Sequence, residues 1–231
     1  MASLNETLLI ARSDYCDFPN TVTNLPSVGS LSINYEKLIQ LNPDYVVAVG
    51  VNGFVETKLN ALSVKNLILE NPESLTDIFE VIDELGTFVG LDDESEKLNL
   101  ALKKRYDFLK EATYAQRKKV LIVLQVDPLI VIGNKSFIND VIYLSGGVNA
   151  INKAFNYPKL SLESFLALDI DVIVCGYPEL YERLKSHSVI SSKLKKDEIE
   201  LVNTINPDLF LRPGPRLFDG VVQLREVLHG K

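Results

Sequence analysis

The chain has little of what metal and redox chemistry require. Its 231 residues include two cysteines, Cys16 and Cys175, and two histidines, His187 and His229, all far apart. Partners so scattered cannot build a zinc or iron–sulfur site, and the two thiols are expected to stay free. Positive charge is also short: 24 Lys and Arg stand against 31 Asp and Glu, for a net charge of −7. With no basic cluster beyond residues 117–119 and 193–196, nucleic acid is not an expected partner. No apolar run approaches a membrane span, and the start, MASLNETLLIARS, lacks the basic and apolar regions of a signal peptide. A nucleophile elbow, a phosphate loop and a dinucleotide fingerprint are all missing, which argues against an enzyme. What the chain does have is 46% hydrophobic residues, ample for one large or two small cores.

The longest regular pattern runs over residues 92–119, DDESEKLNLALKKRYDFLKEATYAQRKK, which contains no Gly or Pro. It opens on acidic residues just after Gly90 and closes on Arg117, Lys118 and Lys119, matching a helix dipole at both ends. One helix of roughly 40 Å is expected. Leu98, Leu102, Tyr106 and Leu109 form a single narrow apolar stripe along it, which suits a rod joining two bodies as well as an ordinary surface helix.

A repeat on either side favours the rod. Residues 33–49, INYEKLIQLNPDYVVAV, superimpose on residues 160–176, LSLESFLALDIDVIVCG, after a shift of 127 positions. Asn34 falls on Ser161, Glu36 on Glu163, Leu38 on Phe165, Ile39 on Leu166 and Asp44 on Asp171. Each copy reads as a capping residue, a short amphipathic helix, a turn with Asp and a strand buried on both faces. The fold class is therefore α/β, with two similar lobes at residues 1–91 and 120–231 and the linking helix at 92–119. The C-terminal helix is free to pack back toward the first lobe.

In the first lobe, strands are expected at Thr7–Ala11, Tyr45–Val49 and Asn66–Leu69, with helices at Phe54–Leu62 and from a Ser74/Asp77 cap to Gly86. In the second, strands are expected at Val120–Val126, Leu129–Ile132 and Glu200–Thr204, besides the strand of the repeat. Helices are expected at Lys135–Leu144, stopped by Gly146 and Gly147, at Pro178–Lys185 and at Leu217–Leu228. Strand alternating with helix means parallel sheets. The first lobe reads as short at its N-terminus, with no preceding strand and helix to match the second.

Loops at strand ends carry aromatic and charged groups: Tyr15 and Phe18 in the first lobe, and Tyr157, Asp208, Phe210, Arg212 and Arg216 in the second. In open parallel sheets such loops hold ligands. Aromatic faces with a few polar groups, set in a cleft between lobes, suit a bulky, partly planar molecule that is bound and not transformed. Packing remains an alternative role for Tyr157 and Phe210, a surface ion pair for Arg212, and turn formation for Asp14 and Asp17.

DYCDFP (Asp14–Pro19), GNKSFINDVIYLSGGVNAI (Gly133–Ile151), RPGPRLFDGVVQL (Arg212–Leu224) and both copies of the repeat closely resemble the helix-linked periplasmic substrate-binding proteins of ABC importers. Within them the chain is most similar to the cobalamin-binding branch, whose relatives bind ferric siderophores and haem. The resemblance implies two Rossmann-like lobes bridged by one rigid helix, with a corrinoid or another large metal chelate in the cleft and no cofactor of the protein's own. It implies that Tyr15 packs on the corrin ring, that Tyr157 stands where a tryptophan does in the cobalamin binder, and that Asp208, Phe210 and Arg212 face the ligand. Ser30, Val49 and Ile130 occupy positions that are aromatic in that binder, so the apolar platform is thinner here. Glu36 and Glu163 match the acidic residues that dock onto arginines of the permease. The repeat gives its own reason to notice them, since two carboxylates at equivalent positions suit a two-fold symmetric partner. Each also lies in a first helical turn, where a carboxylate is favoured by the dipole anyway.

The resemblance places the protein in the periplasm or otherwise outside the cytoplasm, although family members normally begin with an export signal and then a strand and helix ahead of the first residues here. Two rival readings use the same scaffold. A nitrogenase-like protein would hold a metal cluster, for which Cys16 and Cys175 are poor material. A cytosolic sensor or partner-binding module would not depend on Glu36 and Glu163.

Overall fold

The computed structural model describes every residue except Leu31, Asn52, Lys153 and Lys231. The chain forms two compact units, one of Met1–Asn71 with Glu80–Asn99, the other of Pro72–Phe79 with Leu100–Lys231. Helices α4 (Leu75–Val89) and α5 (Asp92–Lys110) each contribute residues to both.

The first unit opens with a short helix, α1 (Ala2–Asn5), and a 3-10 turn at Glu6–Leu8. The apolar run Thr7–Ala11, expected to be a strand, therefore does not form one. Five apolar residues have no period that separates strand from turn. Locally the Asn5 side chain caps the turn by accepting from the Thr7 amide at 3.0 Å, and Leu8 and Ile10 stay exposed. Helix α2 (Tyr35–Gln40) leads into β1 (Val46–Val49), then α3 (Gly53–Ala61) and β2 (Asn66–Leu69). β1 and β2 pair in parallel, Val46 opposite Asn66 through Val49 opposite Leu69. Among the described residues this sheet has two strands.

Helix α4 starts at the expected cap, where the Ser74 hydroxyl and the Asp77 carboxylate are 2.5 Å apart. It does not stop at Gly86 but runs to Val89. Gly86 is in the helix for close approach: a Cβ there would lie 2.4 Å from Ser95 Oγ on α5. Helix α5 ends at Lys110, well before the expected residue 119. The residues beyond are recruited elsewhere. Tyr114 stacks on His229 with ring centroids 4.6 Å apart, the Arg117 guanidinium donates to the carbonyls of Tyr143 and Gly147, and Lys118 already opens a strand.

That strand, β3 (Lys118–Gln125), is the centre of the second unit's sheet. On one side it pairs in parallel with β6 (Val172–Cys175), which in turn pairs in parallel with β7 (Glu200–Val202). Its other side is shared by β5 (Gly147–Asn149), parallel, and β4 (Ile130–Val131), antiparallel. The core lies on this sheet: Leu121, Val123 and Ile173 pack with Phe165, Leu184 and Ile190, all buried. Full burial of each such side chain is worth roughly 1.5–3 kcal/mol. Helices α6 (Ile138–Leu144), α7 (Leu162–Ala167), α8 (Leu180–Ser186), α9 (Ser188–Lys196) and α10 (Leu217–His229) complete the unit. Neither α9 nor β5 is evident in the sequence pattern, and Gly147, expected only to stop a helix, is the first residue of β5.

The repeat survives in atomic detail. The Asn34 side chain accepts from the Lys37 amide at 3.0 Å at the start of α2, and Ser161 accepts from the Ser164 amide at 3.1 Å at the start of α7. Leu38 and Phe165, equivalent in the repeat, are the buried anchors of their helices. Both cysteines are free thiols.

Candidate ligand-binding site

In the first unit, two loop segments lie side by side. Arg12 bridges Ser27 in parallel, the Val28 amide donates to the Arg12 carbonyl at 2.9 Å, and the Asp14 amide donates to the Gly29 carbonyl at 2.8 Å. The Arg12 guanidinium ties the arrangement down by donating to the carbonyls of Ser13, Asp14 and Thr23. This brings Tyr15 and Ser30 onto one local scaffold. Tyr15 is 60% exposed, and Phe18 and Ser30 are exposed as well. Val49 is also exposed, at the C-terminal end of β1.

In the second unit, residues 129–133 run antiparallel to residues 156–160. Leu160 donates to Leu129 at 2.8 Å, Val131 to Pro158 at 3.2 Å and Gly133 to Asn156 at 2.9 Å. Ile130 and Tyr157 thereby sit on adjacent segments, and Tyr157 is 52% exposed. The loop after β7 holds the other residues. Asn206 caps its 3-10 turn by accepting from the Asp208 amide, and Asp208 pairs with Arg212 at 2.9 Å. One expected residue fails. Phe210 is 2% exposed, so its ring belongs to the core and does not line a site. Gly220 of α10 makes room for that loop, because a Cβ there would lie 2.3 Å from the Leu209 carbonyl oxygen and 3.2 Å from Phe210 Cβ.

Phe54, Phe155 and Tyr177 are among the exposed aromatics that the sequence reading does not single out. Tyr177 had a readable signal, since it follows Gly176 directly beyond the end of β6. Ligands of parallel sheets bind outside the carboxyl ends of the strands. Val49 in one unit, and Tyr177 and the Asp208–Arg212 pair in the other, occupy that edge by topology. Two depressions lie at the opposite, N-terminal strand ends of their own units. One, of about 300 Å³, includes Asp44, Tyr45 and Lys65. The other, of about 640 Å³, includes Lys118 and Asp171.

Glu36 and Glu163 are each the second residue of their helix and exposed. No group of three His, Cys, Asp or Glu able to hold a metal ion occurs among the described residues. Cys175 is buried within the core, and burial pushes its thiol up to about 11, which makes it a poor thiolate ligand.

The family model described as periplasmic binding protein matches residues 8–199. An uncharacterized ABC transporter substrate-binding lipoprotein of Bacillus subtilis is 24% identical over 225 residues, covering 92% of this chain and 70% of the relative. The vitamin B12-binding protein of Vibrio cholerae is 25% identical over 224 residues, covering 94% and 79%. Its solved structure has the same fold, with a TM-score of 0.77 and 24% identity over 95% of this chain and 88% of the other. A high-affinity heme uptake system protein of Staphylococcus aureus is 25% identical over 181 residues, covering 74% and 62%.

Proposed function

The chain belongs to the periplasmic binding protein family, and from that membership we propose that it captures a corrinoid, cobalamin or cobinamide, and hands it to the permease of an ABC importer. The observation that carries the ligand class is the pair Tyr15 and Tyr157. Each is a large aromatic left more than half exposed on a loop held in place by backbone hydrogen bonds. Aromatic faces held on such loops grip a flat macrocycle by stacking and area burial. The remaining ring-facing residues are Phe18, Ser30, Val49 and Ile130. Arg212 is paired with Asp208, which lessens its pull on a carboxylate-bearing ring.

A second reading, a haem or ferric-siderophore binder, is favoured by the similarity to the Staphylococcus aureus heme uptake protein. Ser30, Val49 and Ile130 support it too, because they give a ring less aromatic surface. Native mass spectrometry of the chain with cobinamide, cobalamin, haem and a ferric siderophore separates the two. A one-to-one corrinoid complex surviving competition by haem supports the first reading, and the reverse order selects the second.

Handing over needs a docking surface, and we assign that to Glu36 and Glu163, which meet cationic side chains of the permease. Their equivalence in the repeat and their exposure on matched, side-chain-capped helices support this. The Bacillus subtilis relative is a lipoprotein, which supports a working place outside the cytoplasm; no helix among the described residues is long and apolar enough to cross a membrane. Charge reversal at both glutamates is expected to abolish uptake while leaving corrinoid affinity unchanged; a sensor that works without a permease would ignore it.

A further inference from the structure

The two docking helices share more than a glutamate. Each has six residues and one buried anchor, Leu38 in α2 and Phe165 in α7. The residue after each anchor is a branched aliphatic turned to solvent: Ile39 and Leu166 are both 48% exposed. They occupy the same position of the repeat, three residues after Glu36 and Glu163, and residues three apart on a helix are neighbours on one face. One turn earlier, Tyr35 and Leu162 are equivalent as well, both apolar-bodied and neither buried.

A single exposed aliphatic needs no explanation on a protein surface. A branched aliphatic of the same size, Ile39 or Leu166, beside the same carboxylate at the same register of two separate helices is a different observation. Each helix is already seated by its anchor, so the fold gains little from Ile39 or Leu166. Binding interfaces characteristically set apolar anchors beside charged groups that steer and orient.

We infer that Ile39 and Leu166 are apolar anchors of the permease-docking surface, each forming with its neighbouring glutamate a two-part patch for a partner that presents a cationic side chain beside an apolar one. The inference rests on the reading of Glu36 and Glu163 as docking residues. Charge complementarity selects the occupant: a carboxylate at the centre of each patch is repelled by a second copy of the same acidic chain and is attracted to a basic surface. The carboxylate sets orientation and on-rate, and salt weakens it. The aliphatic side chain slows dissociation, and salt does not.

The test uses the protein and its own permease reconstituted in lipid nanodiscs, with binding measured at about 0.05 M and about 0.5 M NaCl, where screening differs strongly. The Ile39→Gln/Leu166→Gln variant keeps good helix formers at exposed positions. It is expected to bind roughly tenfold more weakly at both salt concentrations, the size typical of losing interface anchors. The Glu36→Gln/Glu163→Gln variant is expected to lose most of its affinity at low salt and little at high salt. Cobinamide affinity and the melting temperature, measured alongside, should match wild type in both variants, so that lost docking is not lost folding. If the Gln-for-aliphatic variant proved unfolded, Ile39→Ala/Leu166→Ala would replace it, with the same salt-independent loss of docking expected. Wild-type docking by the aliphatic variant, with the glutamate variant impaired, would overturn the inference and leave the docking reading intact. Wild-type docking by both would overturn the two together. Self-association of the wild type that the aliphatic substitutions abolish would assign the patch to a second copy and overturn the inference.

Discussion

Tyr157 and Phe210 are both aromatics in loops rich in turn formers, yet their surroundings give them opposite duties. Phe210 is inside the fold and Tyr157 is in solvent. Truncation of Phe210 to Ala should cost about 3–5 kcal/mol of unfolding free energy, as for other buried phenylalanines. Urea titration checks this, and the Tyr157→Ala variant should unfold within about 0.5 kcal/mol of wild type in the same experiment. The cysteines divide in the same way. Cys16 is exposed and Cys175 buried. With its thiol at about 11, Cys175 holds roughly one thiolate in a thousand at pH 8, so Ellman's reagent should titrate one thiol in the folded protein and two in urea. The raised value also carries a sign for stability. The unfolded thiol ionises near its ordinary value and the folded one only near 11, so stability is fully present below about pH 9 and falls as pH rises toward 11. Replacement of Cys175 by Val should flatten that decline.

Among the elements, what the sequence reveals is what local chemistry decides. Caps at Asn34, Ser161 and Ser74, the anchors Leu38 and Phe165, and the continuous apolar run of β6 all read correctly, because each depends on neighbours within a turn or a strand. The misses need distant partners. β5 has three residues and becomes a strand only by lying along Lys118–Val120. Helix α5 stops at Lys110 although helical propensity continues, because Tyr114 and Arg117 have tertiary partners to meet. Phe210 could not be told from Tyr157 without knowing that Gly220 opens a place for its loop. At this scale Gly86 is the position to test. It was expected to end α4, and it instead lets Ser95 approach. Gly86→Ala improves helix propensity but puts a methyl group into Ser95, so a net loss of about 1–3 kcal/mol is expected from overpacking. Gly86→Ala/Ser95→Gly should recover part of that loss; thermal melts of the single and double variants give the answer.

Across the molecule, the two copies of the repeat sit in unequal surroundings. β6 has a neighbour on each side and all four residues buried, whereas β1 pairs with β2 alone among the described residues and none of its four residues is fully buried. Strands with few buried contacts open at lower free energy. Native-state hydrogen exchange should therefore release the amides of Val46–Val49 well before those of Val172–Cys175. Equal protection of the two would mean that the first sheet is supported from elsewhere. Of the two tyrosines on which the proposed function depends, Tyr15 lies in the lightly supported unit and Tyr157 in the well-supported one. Calorimetric titration of cobinamide into the wild-type chain and into Tyr15→Ala/Tyr157→Ala tests that dependence most directly. Saturable one-to-one binding, weakened roughly tenfold or more in the double variant as two stacking faces are lost, is the predicted result. Absence of corrinoid binding by the wild type, or an affinity the double variant leaves unchanged, would contradict it.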